Sequence, residues 1–159
     1  NSILGPLVEH ESRLMFRTGR RQYGTTRLLY MFYQDMLEYH ERQSERHVIF
    51  VTASLRAYDM IKRQSSRLLD ELPPGARPHT ISCLCPADMG PFRCVDSDTP
   101  GAVWFVYVDD YVGLHSSSAF MLFIKMVAEM PRVVYIRVRA PCASEVDDSL
   151  VGFTSVNVF

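Results

Sequence analysis

At 159 residues, with 47% hydrophobic and 22% charged side chains, the chain is long enough for one domain with a real core and too short for two ordinary ones. Its composition is globular, and a net charge of −1 excludes a global polycation suited to coating nucleic acid. Cys83, Cys85, Cys94 and Cys142 are too sparse for a disulfide framework, and no apolar run reaches the ~18 residues of a membrane span.

The chain opens on Asn1-Ser2-Ile3-Leu4, with neither an initiator methionine nor a signal-peptide pattern, which reads as a fragment or trimmed chain with intracellular residence as the default. Gly5-Pro6 breaks any regular element before residue 12. Arg13 to Thr18 (RLMFRT) predicts a short strand running into a turn over Gly19 to Thr26. A helix is expected from about Thr26 to Glu45, because Leu28, Phe32 and Met36 fall four apart with Leu29, Tyr33 and Leu37 as a second row. Its charged last turns (Glu41, Arg42, Glu45, Arg46) read as a solvated end.

His47 to Thr52 (HVIFVT) is a continuous apolar run of the kind found in buried parallel strands. A helix follows from Arg56 to Leu72, stopped by Pro73-Pro74-Gly75, and residues 79–96 predict two short strands around Ala87 to Pro91. Val103 to Val108 (VWFVYV) is another buried strand, ended by Asp109-Asp110. Ser116-Ser117-Ser118 can cap a helix to about Met130, Val133 to Val138 is a further strand, and Ser149 to Phe159 adds an edge strand. Strands alternating with helices predict an α/β fold, a three-layer sandwich with a mainly parallel sheet of about five strands. The strands at 13–18 and 103–108 are expected to be neighbours.

Two segments carry chemistry. Gly19 to Thr26 (GRRQYGTT) fits G-x-x-x-x-G-[KT]-[ST], a strand–turn–helix loop whose glycines let backbone N–H groups face a phosphate at the helix N-terminus. Thr26 can supply the Mg²⁺-binding hydroxyl, but Thr25 stands where a lysine would reach the terminal phosphates. Trp104 to Asp110 (WFVYVDD) has the hydrophobic strand and terminal acid of a Walker B element, with Asp109 on the Mg²⁺ water shell and Asp110 at the position of the water-activating base. Of 17 basic residues only Lys62 and Lys125 are lysine, a bias that suits bidentate phosphate contact and equally reflects genome composition.

Arg21-Gln22-Tyr23-Gly24-Thr25-Thr26 resembles the R-Q-x-G-K-T loop of the ATPase domain of viral terminase large subunits, which are P-loop NTPases, and the order of elements over residues 13–141 is similar too. The resemblance implies a P-loop NTPase-like fold, ATP and Mg²⁺ as ligands, and a DNA-packaging role with double-stranded DNA and other packaging or capsid subunits as partners. It also implies a capacity for homo-oligomers and residence in a host cell (nucleus or cytoplasm) or a virion. Gly19, Arg20, Gln22, Tyr23, Gly24, Thr25 and Thr26 would hold the nucleotide, Thr26 and Asp109 the metal, and Arg21 and Asp110 would act on the γ-phosphate and the water. The sequence departs from that family at three catalytic places: its lysine is Thr25, its Walker B glutamate is Asp110, and its Thr/Ser-rich coupling motif is Arg139-Ala140-Pro141. Hence the alternative, a catalytically silent relative kept as a structural or assembly subunit of a viral particle.

Tyr107-Val108-Asp109-Asp110 is also the Y-x-D-D signature of reverse transcriptases, where two aspartates at a hairpin tip hold the metals of nucleotidyl transfer. That reading needs a further strand-borne aspartate, and Asp59 and Asp70 fall on predicted helices. Cys83, Cys85, Cys94 and His79 lack the paired C-x₂-C spacing of a strong zinc site. Tyr30, Phe32, Tyr33 and Tyr39 read as core or interface aromatics before base-stacking ones, and Arg132, Arg137 and Arg139 as partners of Asp147 and Asp148 before phosphate ligands.

Overall fold

The computed structural model describes residues 13–18, 24–39, 45–85, 102–109, 114, 117–128, 134–141 and 153–158. In chain order the elements are β1 (Arg13–Thr18), α1 (Gly24–Tyr39), β2 (Arg46–Val51), α2 (Leu55–Glu71), β3 (Thr80–Leu84), β4 (Val103–Val108), α3 (Ser118–Ala128), β5 (Val134–Pro141) and β6 (Thr154–Val158). One 3₁₀ turn, Pro74–Ala76, separates α2 from β3. The six strands form one sheet in the order β3-β2-β4-β5-β1-β6, with every pairing parallel.

Apolar residues alternate between the two faces of the sheet, and both faces are covered. Val48, Phe50, Phe105, Tyr107 and Tyr135 pack with α1 and α2, whereas Ile49, Val51, Trp104, Val106, Val108, Ile136 and Val138 pack with α3. A strand buried on both faces needs an apolar residue at nearly every position, which is why β2 and β4 read as unbroken apolar runs. α1 presents Leu28, Phe32 and Met36, each fully buried, and α3 presents Phe120, Phe123, Ile124 and Val127. The result is three layers, helix over sheet over helix. From β1 the chain moves towards β2 and β3 with its helices on one face, then returns through β4 to β5 with α3 on the other, as right-handed crossovers require.

Helix boundaries follow from local chemistry. Ser54 caps α2 by accepting from the Ala57 N–H at 3.3 Å, and Ser117 caps α3 by accepting from the Phe120 N–H at 3.2 Å. Pro73 and Pro74 end α2 because neither can donate a helical N–H. No helix among the described residues is long and apolar enough to cross a membrane.

Four expectations need correction. The sheet has six strands, and β1 is not beside β4, because β5 lies between them. Residues 80–84 pair in parallel with β2, and the second strand of the expected hairpin falls in residues 86–101, outside the described set. The first helix begins two residues early, at Gly24, and is described only to Tyr39. Arg46 is no solvated helix end. It opens β2 at 4% exposure, its Nη1 donating to the Met36 and Ala76 carbonyls (3.3 and 3.1 Å) and its Nη2 to those of Gly75 and Arg77 (2.9 and 3.2 Å). Four carbonyls from α1 and the 3₁₀ turn thus gather on one planar fork, a geometry that lysine cannot supply.

Candidate functional site at the carboxyl edge of the sheet

The parallel register lines up residues from several strands. Val51, Val108, Val138 and Met15 form one row, so Thr52 and Asp109, just past the carboxyl ends of β2 and β4, stand level with Arg139 and Phe16, whose strands run two residues further. Chain leaving β2 turns towards β3, and chain leaving β4 turns the opposite way towards β5. Thr52 and Asp109 therefore flank a topological switch point, the crevice where open α/β sheets bind ligands. The N-terminus of α1 reaches the same place, because Thr25 stands one turn before Leu28 on the sheet-facing stripe.

Asp109 is the centre of this edge and is only 2% exposed. The Thr25 hydroxyl is 3.2 Å from each of its carboxylate oxygens, and the Arg139 Nε donates to Oδ1 at 3.0 Å. A longer bond of 3.4 Å comes from the Thr52 hydroxyl, which itself accepts from the Ser54 N–H at 3.3 Å. The Asp109 N–H donates to the Val51 carbonyl at 2.8 Å, locking the end of β4 against β2. Arg139 is 5% exposed, and its Nη1 is buried without a partner among the described residues.

A second, largely buried pair lies two residues deeper along the strands. Phe50, Tyr107, Arg137 and Leu14 are in register, and Asp35 of α1 comes down onto them. The Tyr107 hydroxyl donates to Asp35 Oδ2 at 2.7 Å, and the Arg137 Nε lies 3.4 Å from the same oxygen. Burial, reinforced by Asp35, pushes the Tyr107 phenol well above its ordinary pKa. Burial pulls the Arg137 guanidinium down, but Asp35 and Tyr107 outweigh it, so its pKa is held above the usual value. This pair keeps α1 in place over β4 and β5. The Asp109 pair does the same at the helix's first turn.

The placement of the sequence candidates is uneven. Asp109 stands at the edge as expected, but the hydroxyl that meets it belongs to Thr25, not Thr26. Thr26 is exposed and lines a groove of about 470 Å³ between α1 and α2 with Tyr30, Tyr33, Met60 and Gln64. Gly24 is the first residue of α1. Gly19, Arg20, Arg21, Gln22, Tyr23 and Asp110 lie outside the described residues. Arg137 and Arg139 pair with Asp35 and Asp109, and the expected partners Asp147 and Asp148 lie outside the described set, as does Arg132. Sequence reasoning missed Thr52, Asp35 and the role of Tyr107.

What this edge can do chemically follows from its charges. The first N–H groups of a helix have no intrahelical partner, so the α1 terminus favours an anion. The Asp109–Arg139 pair is neutral, and its unpartnered Nη1 is a further donor. A divalent cation fits less well: both Asp109 oxygens are engaged, and Arg139 already supplies the compensating charge. Among the described residues no three His, Cys, Asp or Glu side chains converge as a metal site. Cys83 and Cys85 are half-buried, Cys94 lies outside the described set, and His79 Nδ1 accepts from the Arg46 N–H at 3.1 Å. The hairpin that Y-x-D-D chemistry needs is absent at β4, whose neighbours β2 and β5 both run parallel to it.

No family model matches the sequence, and neither a curated protein nor a solved structure matches it.

Proposed function

We propose that the chain is a P-loop NTPase-type, terminase-like domain that binds the phosphates of ATP at the carboxyl edge of its sheet and hydrolyses ATP slowly or not at all. The observation that carries this reading is the contact of Thr25 with Asp109. It joins the first turn of the helix after β1 to the acid at the exit of a parallel strand, the juxtaposition that phosphate chemistry on a strand–loop–helix unit requires. In this register Thr25, rather than Thr26, takes the hydroxyl position, and no lysine stands beside it in the first turn of α1.

Arg21 and Asp110 keep the roles that the terminase resemblance implies, on the γ-phosphate and on the attacking water. Catalysis there would be positioning and electrostatics, with phosphoryl transfer to water. Double-stranded DNA and other packaging or capsid subunits are the partners this reading entails, with homo-oligomers as its assembled form. The expectation of Mg²⁺ between Thr26 and Asp109 is not carried into it, because Thr26 faces another groove and Asp109 is held by Arg139.

A second reading is favoured by one observation. The buried Asp109–Arg139 pair ties up the acid that turnover would use, as suits a catalytically silent assembly subunit with the same fold. Calorimetric titration of ATP, with product release followed on the same sample, separates the readings. ATP binding with measurable hydrolysis supports the motor reading, and binding without hydrolysis supports the silent one. Absence of ATP binding both with and without Mg²⁺ would sink the nucleotide reading altogether.

A further inference from the structure

We infer that Arg139 is the phosphate-binding cation of this edge and Asp109 its holder, so that phosphate binding here needs no divalent metal. The inference deepens the nucleotide reading above and rests on it for the identity of the ligand. The ligand class is a polyphosphate, the triphosphate of a nucleotide, taken as the free anion.

Arg139 is placed for this by the sheet order. Because β5 lies between β1 and β4, its Arg139 stands level with Asp109 on one side and pairs with Phe16 of β1 on the other. A guanidinium projecting there is beside the strand that leads into the α1 turn. It is anchored through Nε to Asp109 Oδ1 at 3.0 Å, which fixes the plane of the fork. Its Nη1 is left buried and without a partner among the described residues, although Arg139 is only 5% exposed. A buried guanidinium N–H with no acceptor is costly, so the position asks for one. The first turn of α1 meets the same carboxylate through Thr25, so the helix terminus and the Arg139 guanidinium converge on Asp109. An oxyanion there completes both sets of donors.

The same contacts account for the charges. A phosphate loop with lysine and a free aspartate uses the lysine for the phosphates and the aspartate for a metal. Here neither described lysine is near: Lys62 is exposed on α2 over the Tyr58 ring, and Lys125 is exposed on α3. Among the described residues Arg139 provides the positive charge in contact with Asp109, and in doing so occupies an oxygen that a metal's water shell would use. Planar, bidentate recognition of phosphate is what guanidinium does better than ammonium.

The test is titration of ATP and of inorganic tripolyphosphate into the full chain, once in EDTA and once in Mg²⁺. The expected result is equal affinity in the two buffers, within about threefold. Arg139→Gln should weaken binding in EDTA by roughly 10- to 100-fold, the value of a hydrogen bond to a charged group. It should also make binding respond to Mg²⁺, since Asp109 is then released. Arg139→Lys, which keeps the charge, should retain metal-free binding to within about tenfold and so separates the role from a folding defect. Wild-type binding of ATP only when Mg²⁺ is present overturns the inference and leaves the nucleotide reading standing. Tripolyphosphate binding in EDTA without ATP binding does the reverse. Undiminished binding by folded Arg139→Gln, checked by near-ultraviolet circular dichroism, also overturns the inference.

Discussion

Replacing Asp109 by leucine should show how tightly the edge is held. The Arg139 Nε sits 3.0 Å from the carboxylate, with both residues almost wholly buried. At an effective dielectric constant near 20, opposite charges about 4 Å apart attract by roughly 4 kcal/mol. Removing one partner of a buried pair strands the other charge, which costs about 3–5 kcal/mol. The Thr25 and Thr52 hydroxyls lose their acceptor as well, although each can rotate towards another. For a chain of this size that loss corresponds to a fall in Tm of roughly 6–20 °C. The double variant Asp109→Leu/Arg139→Met leaves no stranded charge, so it should recover much of the loss. Urea denaturation of wild type, both single variants and the double variant would give the coupling energy directly. A loss below about 1 kcal/mol for Asp109→Leu, or strict additivity of the two single changes, would refute a buried, mutually dependent pair.

Three further outcomes follow from the fold. Arg46→Lys should cost about 2–3 kcal/mol in urea denaturation, because an ammonium cannot serve four carbonyls from α1 and the 3₁₀ turn in one plane. His47 stacks on Trp104 at 4.4 Å and bonds Thr80 at 2.8 Å, and burial lowers its pKa below the usual 6.5 despite Glu45. The folded state thus resists protonation, so its contribution is fully present above pH 6.5 and is lost as pH falls below that value; His47→Phe should flatten the slope of Tm against pH there. Ser54→Ala removes the α2 cap and should cost about 0.5–2 kcal/mol, seen in thermal or urea unfolding.

The strands and helices were legible because burial on both sides of the sheet writes itself into the sequence as apolar runs, and burial of one helix face as a four-residue spacing. The order of strands was not, since periodicity says which residues are buried and nothing about which strand lies beside which. That gap hid the insertion of β5 between β1 and β4, and with it the role of Arg139. The signal for the buried arginines was present nonetheless. In Val134 to Arg139 the alternation places Tyr135, Arg137 and Arg139 on one face and Ile136 and Val138 on the other. Asp35 likewise sits in the buried α1 stripe between Phe32 and Met36, a position that requires a partner. Thr25 could have been chosen over Thr26 by extending the row of Leu28, Phe32 and Met36 back one turn, since Thr26 continues the flank of exposed Tyr30. Arg46 misled because a charge after a run of polar residues looks like a solvated helix end, whereas its carbonyl partners come from segments distant in sequence.

The most direct measurement is a crystal structure of the chain grown with a non-hydrolysable ATP analogue in EDTA. The expected result is phosphate density at the first turn of α1, with an oxygen within hydrogen-bond distance of Arg139 Nη1 and the Asp109–Arg139 contact intact. Nucleotide bound elsewhere, for example in the groove between α1 and α2, or an edge left empty at saturating analogue, would contradict it.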